Sequence, residues 1–201
     1  MIAKWTLGAG LAALVLSPVA LAEPSDRDVQ EIMKRDFRAK GQAKMDRLEQ
    51  DAVQRTCTAT RDDPPAELAK KLEADQMKTI VYPSGGLMGN WKEGAKIAWG
   101  GRGMQWHEDP KKPADGGCYN CHQISPARTS AGTIGPSLTA FGKKRGNGIE
   151  MQKYVYGKIY NAKAYNLCSH MPRFGTTGSL TEQQMKDLTA YLLDPASPVN
   201  Q

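Results

Sequence analysis

The chain has 201 residues, with 27 Lys and Arg against 21 Asp and Glu and a formal net charge of +6, a length that suits one ordinary domain with appendages rather than several domains. A hydrophobic fraction of 40% with 24% charged residues argues against wholesale disorder and against a collagen-like or coiled-coil rod, while 20 Gly and 12 Pro point to a loop-rich molecule. The positive balance favours an acidic partner or surface, but no zinc-finger spacing or RNP-type aromatic motif accompanies it, which argues against nucleic acid.

Residues 1–22 read as a secretory signal peptide: Lys4, an apolar stretch from Leu7 to Leu16, Pro18, then Ala20-Leu21-Ala22 before Glu23. About ten core apolar residues are too few for a membrane anchor, which needs about twenty. Cleavage is expected after Ala22, giving an exported, periplasmic protein with no membrane span.

From Ser25 to about Thr56, Val29, Ile32, Met33 and Phe37, then Met45, Leu48, Ala52 and Val53, recur at helical spacing and predict one or two amphipathic helices with a break at Gly41. Asp62-Asp63-Pro64-Pro65 predicts a further helix from Pro64 to about Met77, with Leu68 and Leu72 inward. Tyr82-Pro83-Ser84-Gly85-Gly86 is turn chemistry and separates a helical N-terminal extension, 23–86, from a second domain, 87–201. Within the latter, Glu93–Trp99 begins a helix that Gly100-Gly101-Arg102-Gly103 stops, and a polar loop follows through Pro110 and Pro113. Trp91, Trp99 and Trp106 read as core and cofactor packing. Near the C-terminus Ser179-Leu180-Thr181-Glu182 reads as a capping box opening a last helix, with Leu180, Met185, Leu188, Leu192 and Leu193 inward and an end near Asp194-Pro195. No internal repeat and no β pattern is evident, so the fold class is all-α.

Cys118-Tyr119-Asn120-Cys121-His122 is a C-x-x-C-H motif, the attachment signature of c-type haem. Two thiols one turn apart add to the two vinyl groups of one haem, and the adjacent imidazole becomes the proximal iron ligand. A thioredoxin-like pair lacks βαβ context and a zinc site lacks a second ligand pair. The expectation is therefore a single covalent haem c on Cys118 and Cys121, with His122 on the iron. Met171, in Ser169-His170-Met171-Pro172-Arg173-Phe174-Gly175, is the leading distal ligand, because proline and glycine shape an irregular loop that holds a thioether; His170 and His107 are the rivals. In Thr133-Ile134-Gly135-Pro136-Ser137-Leu138 the Pro136 carbonyl is placed to accept the imidazole N–H and Leu138 to pack on the macrocycle.

The order of helix, C-x-x-C-H, G-P-x-L, M-P and a final helix with Tyr191-Leu192 resembles class I cytochrome c over about residues 90–195. More narrowly, Gly117–Gln123, Gly132–Leu138, Gly157–Asn161, Cys168–Gly175 and Leu193–Asn200 resemble SoxX, the small monohaem subunit of the sulfur-oxidising cytochrome complex. That resemblance implies a class I cytochrome c fold and a SoxA cytochrome partner. It further implies oxidative coupling of thiosulfate to a cysteine of the SoxYZ carrier, and passage of the electrons through this chain to a small cytochrome c. The catalytic haem would belong to SoxA, leaving no catalytic residue here. The extension 23–86 is additional to the minimal SoxX-like core.

Two other readings stand beside it: a stand-alone monohaem electron carrier, and a catalytic cytochrome acting alone, which would need an exchangeable haem site or a reactive thiol. Cys57 and Cys168 remain after haem attachment; an even pair in an oxidising compartment suggests a disulfide, against two free thiols or a bridge to a partner. Lys143-Lys144-Arg145 and Lys111-Lys112 make the haem domain locally basic, as a solvated face or as a steering surface.

Overall fold

The computed structural model describes residues 24–201; the expected signal peptide lies outside the described residues. Two compact units are present, one ending at Phe37 and the other running from Arg38 to Gln201. In the first, α1 (Asp26–Asp36) is closed by a capping box in which the Ser25 hydroxyl accepts from the Asp28 N–H and the Asp28 carboxylate accepts from the Ser25 N–H. Acids in its first turn and Lys34 and Arg35 in its last suit the helix dipole. Val29 and Ile32 stay exposed.

In the second unit, α2 (Ala52–Ala59), α3 (Ala66–Met77), α4 (Trp91–Trp99), α5 (Phe141–Arg145), α6 (Ile149–Tyr160) and α7 (Glu182–Leu193) follow in order. Among the described residues the sole β feature is an isolated bridge between Lys40 and Ala43, so the described fold is all-α, as expected. No helix of the described residues is long and apolar enough to cross a membrane.

The main core forms where α4 and α7 cross and α6 packs on α7. Leu87, Ile97, Tyr119, Ile124, Val155, Tyr156, Leu188 and Tyr191 are buried there. Gly94 sets the spacing: a Cβ on it would strike the Asp187 carbonyl oxygen and lie 2.8 Å from Tyr191 Cβ. Asp187, itself buried, accepts from the Asn90 N–H at 2.7 Å, which fixes the start of α4 against α7.

A smaller core of Val53, Cys57 and Leu167, with Ala69, Leu72 and Cys168 around it, joins α2 and α3 to the segment after α6. Glu73 accepts from the Leu167 N–H at 2.9 Å, and the Asn161 amide donates to Gln76 and Thr79 at 3.0 Å each. These ties place residues 38–86 in the same unit as the rest, although the turn chemistry at 82–86 is present.

Several local expectations are corrected. The last helix is capped by Thr181, whose hydroxyl accepts from Gln184 N–H in a box with Gln184; the Ser179 hydroxyl instead donates to Phe174 O. Trp99 and Trp106 are about half exposed, at 47% and 49%, with Arg128 and Lys40 over their faces at 3.9 and 3.4 Å; Trp91 packs on the core, and Trp99 meets the buried Tyr119 ring edge-on at 5.3 Å. Leu68 is exposed and α3 has no fully buried residue. Met45–Leu48 is a short 3-10 turn. The helix α6 was not singled out by the sequence reading, although Val155, Tyr156 and Ile159 are its buried positions.

Candidate functional site

Gly117, at φ +56°, starts a 3-10 turn over Cys118–Asn120, and the His122 N–H donates to Cys118 O at 2.9 Å. Neither cysteine of the turn is in a disulfide, and each residue is partly buried. Burial pushes the Cys118 thiol up to about 12, so it is protonated at neutral pH.

The turn is laced to residues 132–138 by backbone hydrogen bonds. The Gly132 N–H donates to Tyr119 O at 2.8 Å, Gly135 N–H to Cys121 O at 2.8 Å, and Leu138 N–H to Gln123 O at 2.7 Å. His122 Nδ1 lies 2.7 Å from Pro136 O. A carbonyl only accepts, so Nδ1 carries the proton and Nε2 keeps its lone pair for a metal. Gly135 permits this closeness: a Cβ there would collide with Cε1 and fall 2.6 Å from Nδ1 of His122.

Met171 follows an irregular segment in which its N–H donates to Ser169 Oγ at 3.2 Å. Its side chain is partly buried against the main core, as are those of Leu138, Phe141, Met151 and Tyr160. The rival imidazoles are engaged elsewhere: His170 Nε2 is 3.2 Å from Asp62 Oδ2, and the His107 ring meets Trp106 edge-on at 5.1 Å. Cys57 and Cys168 are bonded, across a sequence separation of 111.

Two thiols at C-x-x-C spacing beside an imidazole whose Nδ1 is held by a carbonyl make a donor set that fits haem c, while Met171, Leu138, Phe141, Met151 and Tyr160 pack on the same main core. The Tyr156 hydroxyl is buried without a protein partner, a polar atom that a bound group or water would satisfy. Beyond the predicted residues, Tyr119 and Tyr191 share a buried hydroxyl contact of 2.7 Å. The Ser125 N–H donates to Tyr119 Oη at 3.3 Å, and either hydroxyl of the tyrosine pair can serve as the donor to the other. Burial, reinforced by that bond, raises the Tyr191 phenol and keeps it neutral. A tyrosine between the two cysteines was visible in sequence, but nothing local announced its partner.

Residues 108–194 match the cytochrome c family. The chain is 38% identical over 145 residues to an uncharacterized lipoprotein of Aquifex aeolicus (strain VF5), an alignment covering 67% of this chain and 63% of that protein; the chain thus spans less than two thirds of that relative's length. Among solved structures, SoxXA from P. pantotrophus matches at 27% identity with a TM-score of 0.40, covering 59% of this chain and 95% of that one.

Proposed function

With residues 108–194 forming a cytochrome c domain whose prosthetic group is haem c, we propose that this chain is a SoxX-like electron-accepting subunit of a periplasmic thiosulfate-oxidising complex. Cys118 and Cys121 would hold the haem, and His122 and Met171 would ligate its iron. In this reading the signal peptide 1–22 exports the chain, and the Cys57–Cys168 bond fits an oxidising compartment. The partners are a SoxA-like cytochrome, the SoxYZ carrier reached through the complex, and a small cytochrome c acceptor. The observation that carries the reading is the His122–Pro136 contact, at 2.7 Å, inside two of the ordered blocks that resemble SoxX.

When bound, haem c supplies a one-electron iron couple. The chain's own residues do the rest. The Pro136 carbonyl holds the Nδ1 proton, sets the ring plane of His122 and raises the basicity of Nε2. The thioether of Met171 is a soft donor that favours the reduced state relative to a second imidazole, which suits an electron acceptor. Leu138, Phe141, Met151 and Tyr160, partly buried apolar side chains on the main core, would keep water from the bound group. No side chain has to act as acid, base or nucleophile for electron transfer.

The test is reduction of the haem by thiosulfate in the presence of the carrier protein, with and without the SoxA-like partner. Reduction that requires the partner is expected. Reduction without it would move catalysis onto this chain, and no reduction in either case would return it to a stand-alone carrier. Met171→Ala is expected to lower the reduction potential and open the sixth position to imidazole; an unchanged ligand-field spectrum would remove Met171 from the iron.

A further inference from the structure

We propose that the Cys57–Cys168 disulfide is a thiol-exchange site for a small dithiol, and that its opening loosens the segment carrying Met171. The proposal rests on Met171 being an iron ligand. Both cysteines line an open cavity of about 380 Å³, together with Met171, Lys163, Arg173 and Asp62. At ~30 Å³ per water that space holds roughly a dozen waters, room for a small organic thiol. The disulfide and Met171 thus lie in the wall of one open cavity.

The two sulfurs are not equivalent. Cys57 is buried at 5% exposure between Val53 and Leu167, whereas Cys168 is partly exposed. An entering thiol therefore attacks Cys168 Sγ. A bond forms between the dithiol sulfur and Cys168, the Cys57–Cys168 bond breaks, and Cys57 leaves with the electron pair and takes up the proton lost by the attacking thiol. The second thiol of the reductant then closes on the first, giving a cyclic disulfide and releasing Cys168 as a thiol. The dithiol is oxidised by two electrons and the protein disulfide is reduced by two.

The charges around the cavity are mixed. Arg173 is paired with Asp51 at 2.6 Å, and the Lys163 ammonium donates to Leu167 O at 3.0 Å. An Asp62 carboxylate oxygen lies within 4.8 Å of both sulfurs. That carboxylate disfavours a permanently charged sulfur oxyanion more than a dithiol whose sole charge is the reacting thiolate, so the fitting class is a dithiol with no other charged group. Asp62 is held there at φ +62°, directly after Arg61 at φ +51°, two consecutive left-handed residues that cost conformational energy and are over-represented at functional positions.

The coupling to Met171 is a matter of anchors. Downstream, Phe174 is buried and the Gly175 N–H donates to Tyr160 O at 3.0 Å. Upstream, the anchor is Cys168, three residues before Met171 and tied across the chain to α2. Without the covalent link, that end is held by the buried Val53, Cys57 and Leu167, by the Glu73–Leu167 and Lys163–Leu167 hydrogen bonds and by the exposed His170–Asp62 contact.

The experiment uses the full haem-loaded protein. Dithiothreitol is applied without denaturant, iodoacetamide follows, and the protein is desalted, reoxidised with ferricyanide and titrated with imidazole. Mass spectrometry is expected to find Cys57 and Cys168 both alkylated while the helical circular dichroism is unchanged. The alkylated protein and the Cys57→Ser/Cys168→Ser variant are both expected to bind imidazole at least about tenfold more tightly than the oxidised protein, equivalent to ~1.4 kcal/mol. Met171→Ala should bind imidazole tightly in either thiol state. No alkylation before unfolding would overturn the exchange site, and alkylation with unchanged imidazole affinity would overturn the coupling. Unchanged affinity in Met171→Ala would overturn the ligand assignment, and the coupling with it.

Discussion

Gly135→Ala isolates the closest packing of the proximal side. The new methyl would collide with His122 Cε1 and sit 2.6 Å from Nδ1 and 2.8 Å from Nε2, against ordinary carbon contacts of about 3.5–4.0 Å. The ring must retreat by roughly an ångström, or residues 133–136 must shift away. Either movement stretches the 2.7 Å Nδ1–Pro136 bond, with a net loss of about 0.5–1.5 kcal/mol, and adds the overpacking cost of about 1–3 kcal/mol. Glycine replacement returns about 0.4–1 kcal/mol through the unfolded chain. The sum is a destabilisation of about 0.5–4 kcal/mol, centred near about 2 kcal/mol. Backbone strain does not enter, since Gly135 has no positive φ. Urea unfolding of the ferric protein measures the change, and a shifted haem absorption spectrum reports the displaced imidazole. Gly85→Ala is the control: nothing lies within 4 Å of its added Cβ and its φ is not positive, so it should be neutral or slightly stabilising. If the two variants unfold at the same urea concentration with the same spectrum, the account of Gly135 is wrong.

The remaining perturbations test other layers of the molecule. Cys57→Ser with Cys168→Ser opens a loop spanning 111 residues and should cost on the order of 4 kcal/mol by loop-closure entropy, read as a lowered urea midpoint; a loss below about 1 kcal/mol would mean the unfolded chain is already constrained there. Burial of Asp51 tends to raise its pKa, but the Gln54 N–H and the Arg173 guanidinium outweigh it and hold the carboxyl below its ordinary value. Its stabilisation is thus present above about pH 4 and lost as pH falls through the folded-state value. Wild type should accordingly lose more stability than Asp51→Asn between about pH 5 and pH 3, and parallel urea midpoints across that range would discount the pair. Between Asp115 and Glu182 the acid is Glu150 alone, against Arg128, Lys143, Lys144, Arg145 and four further cations. Association with an acidic electron-transfer partner should slow as salt rises, and Lys143→Glu with Lys144→Glu should slow it further in stopped-flow measurements.

What the sequence disclosed and what it concealed divide by range. The C-x-x-C-H turn and the Pro136 carbonyl that meets His122 were legible because each lies in a motif of a few residues, and only 14 positions separate the two. The final helix was legible from its period, but its cap was misplaced by two residues because Ser179 and Thr181 are both hydroxyl residues and the choice between them depends on Phe174 O, supplied by tertiary structure. The tryptophans misled for a related reason: an indole covered by a guanidinium or ammonium can remain half exposed, and Arg128 and Lys40 are 29 and 66 positions from the rings they cover. The Tyr119–Tyr191 contact, across 72 positions, and the packing of α2 and α3 against residues 161–168 had no local signal at all.

The two sides of the candidate haem site are therefore built with different mechanical logic. The proximal side is local: His122, its carbonyl partner and the three backbone bonds that lace them lie within residues 119–138, so the imidazole stays oriented as long as that short stretch keeps its conformation. In the proposed reading the distal side is non-local, because the segment carrying Met171 is positioned by a bond to Cys57 and an ion pair to Asp51, both contributed by chain more than 100 residues upstream. Local unfolding frees elements held by few buried contacts before it reaches a laced turn. Perturbations of 51–57 should consequently change ligand exchange at the sixth iron position while leaving the fifth intact, and changes at Gly135 or Pro136 should do the reverse.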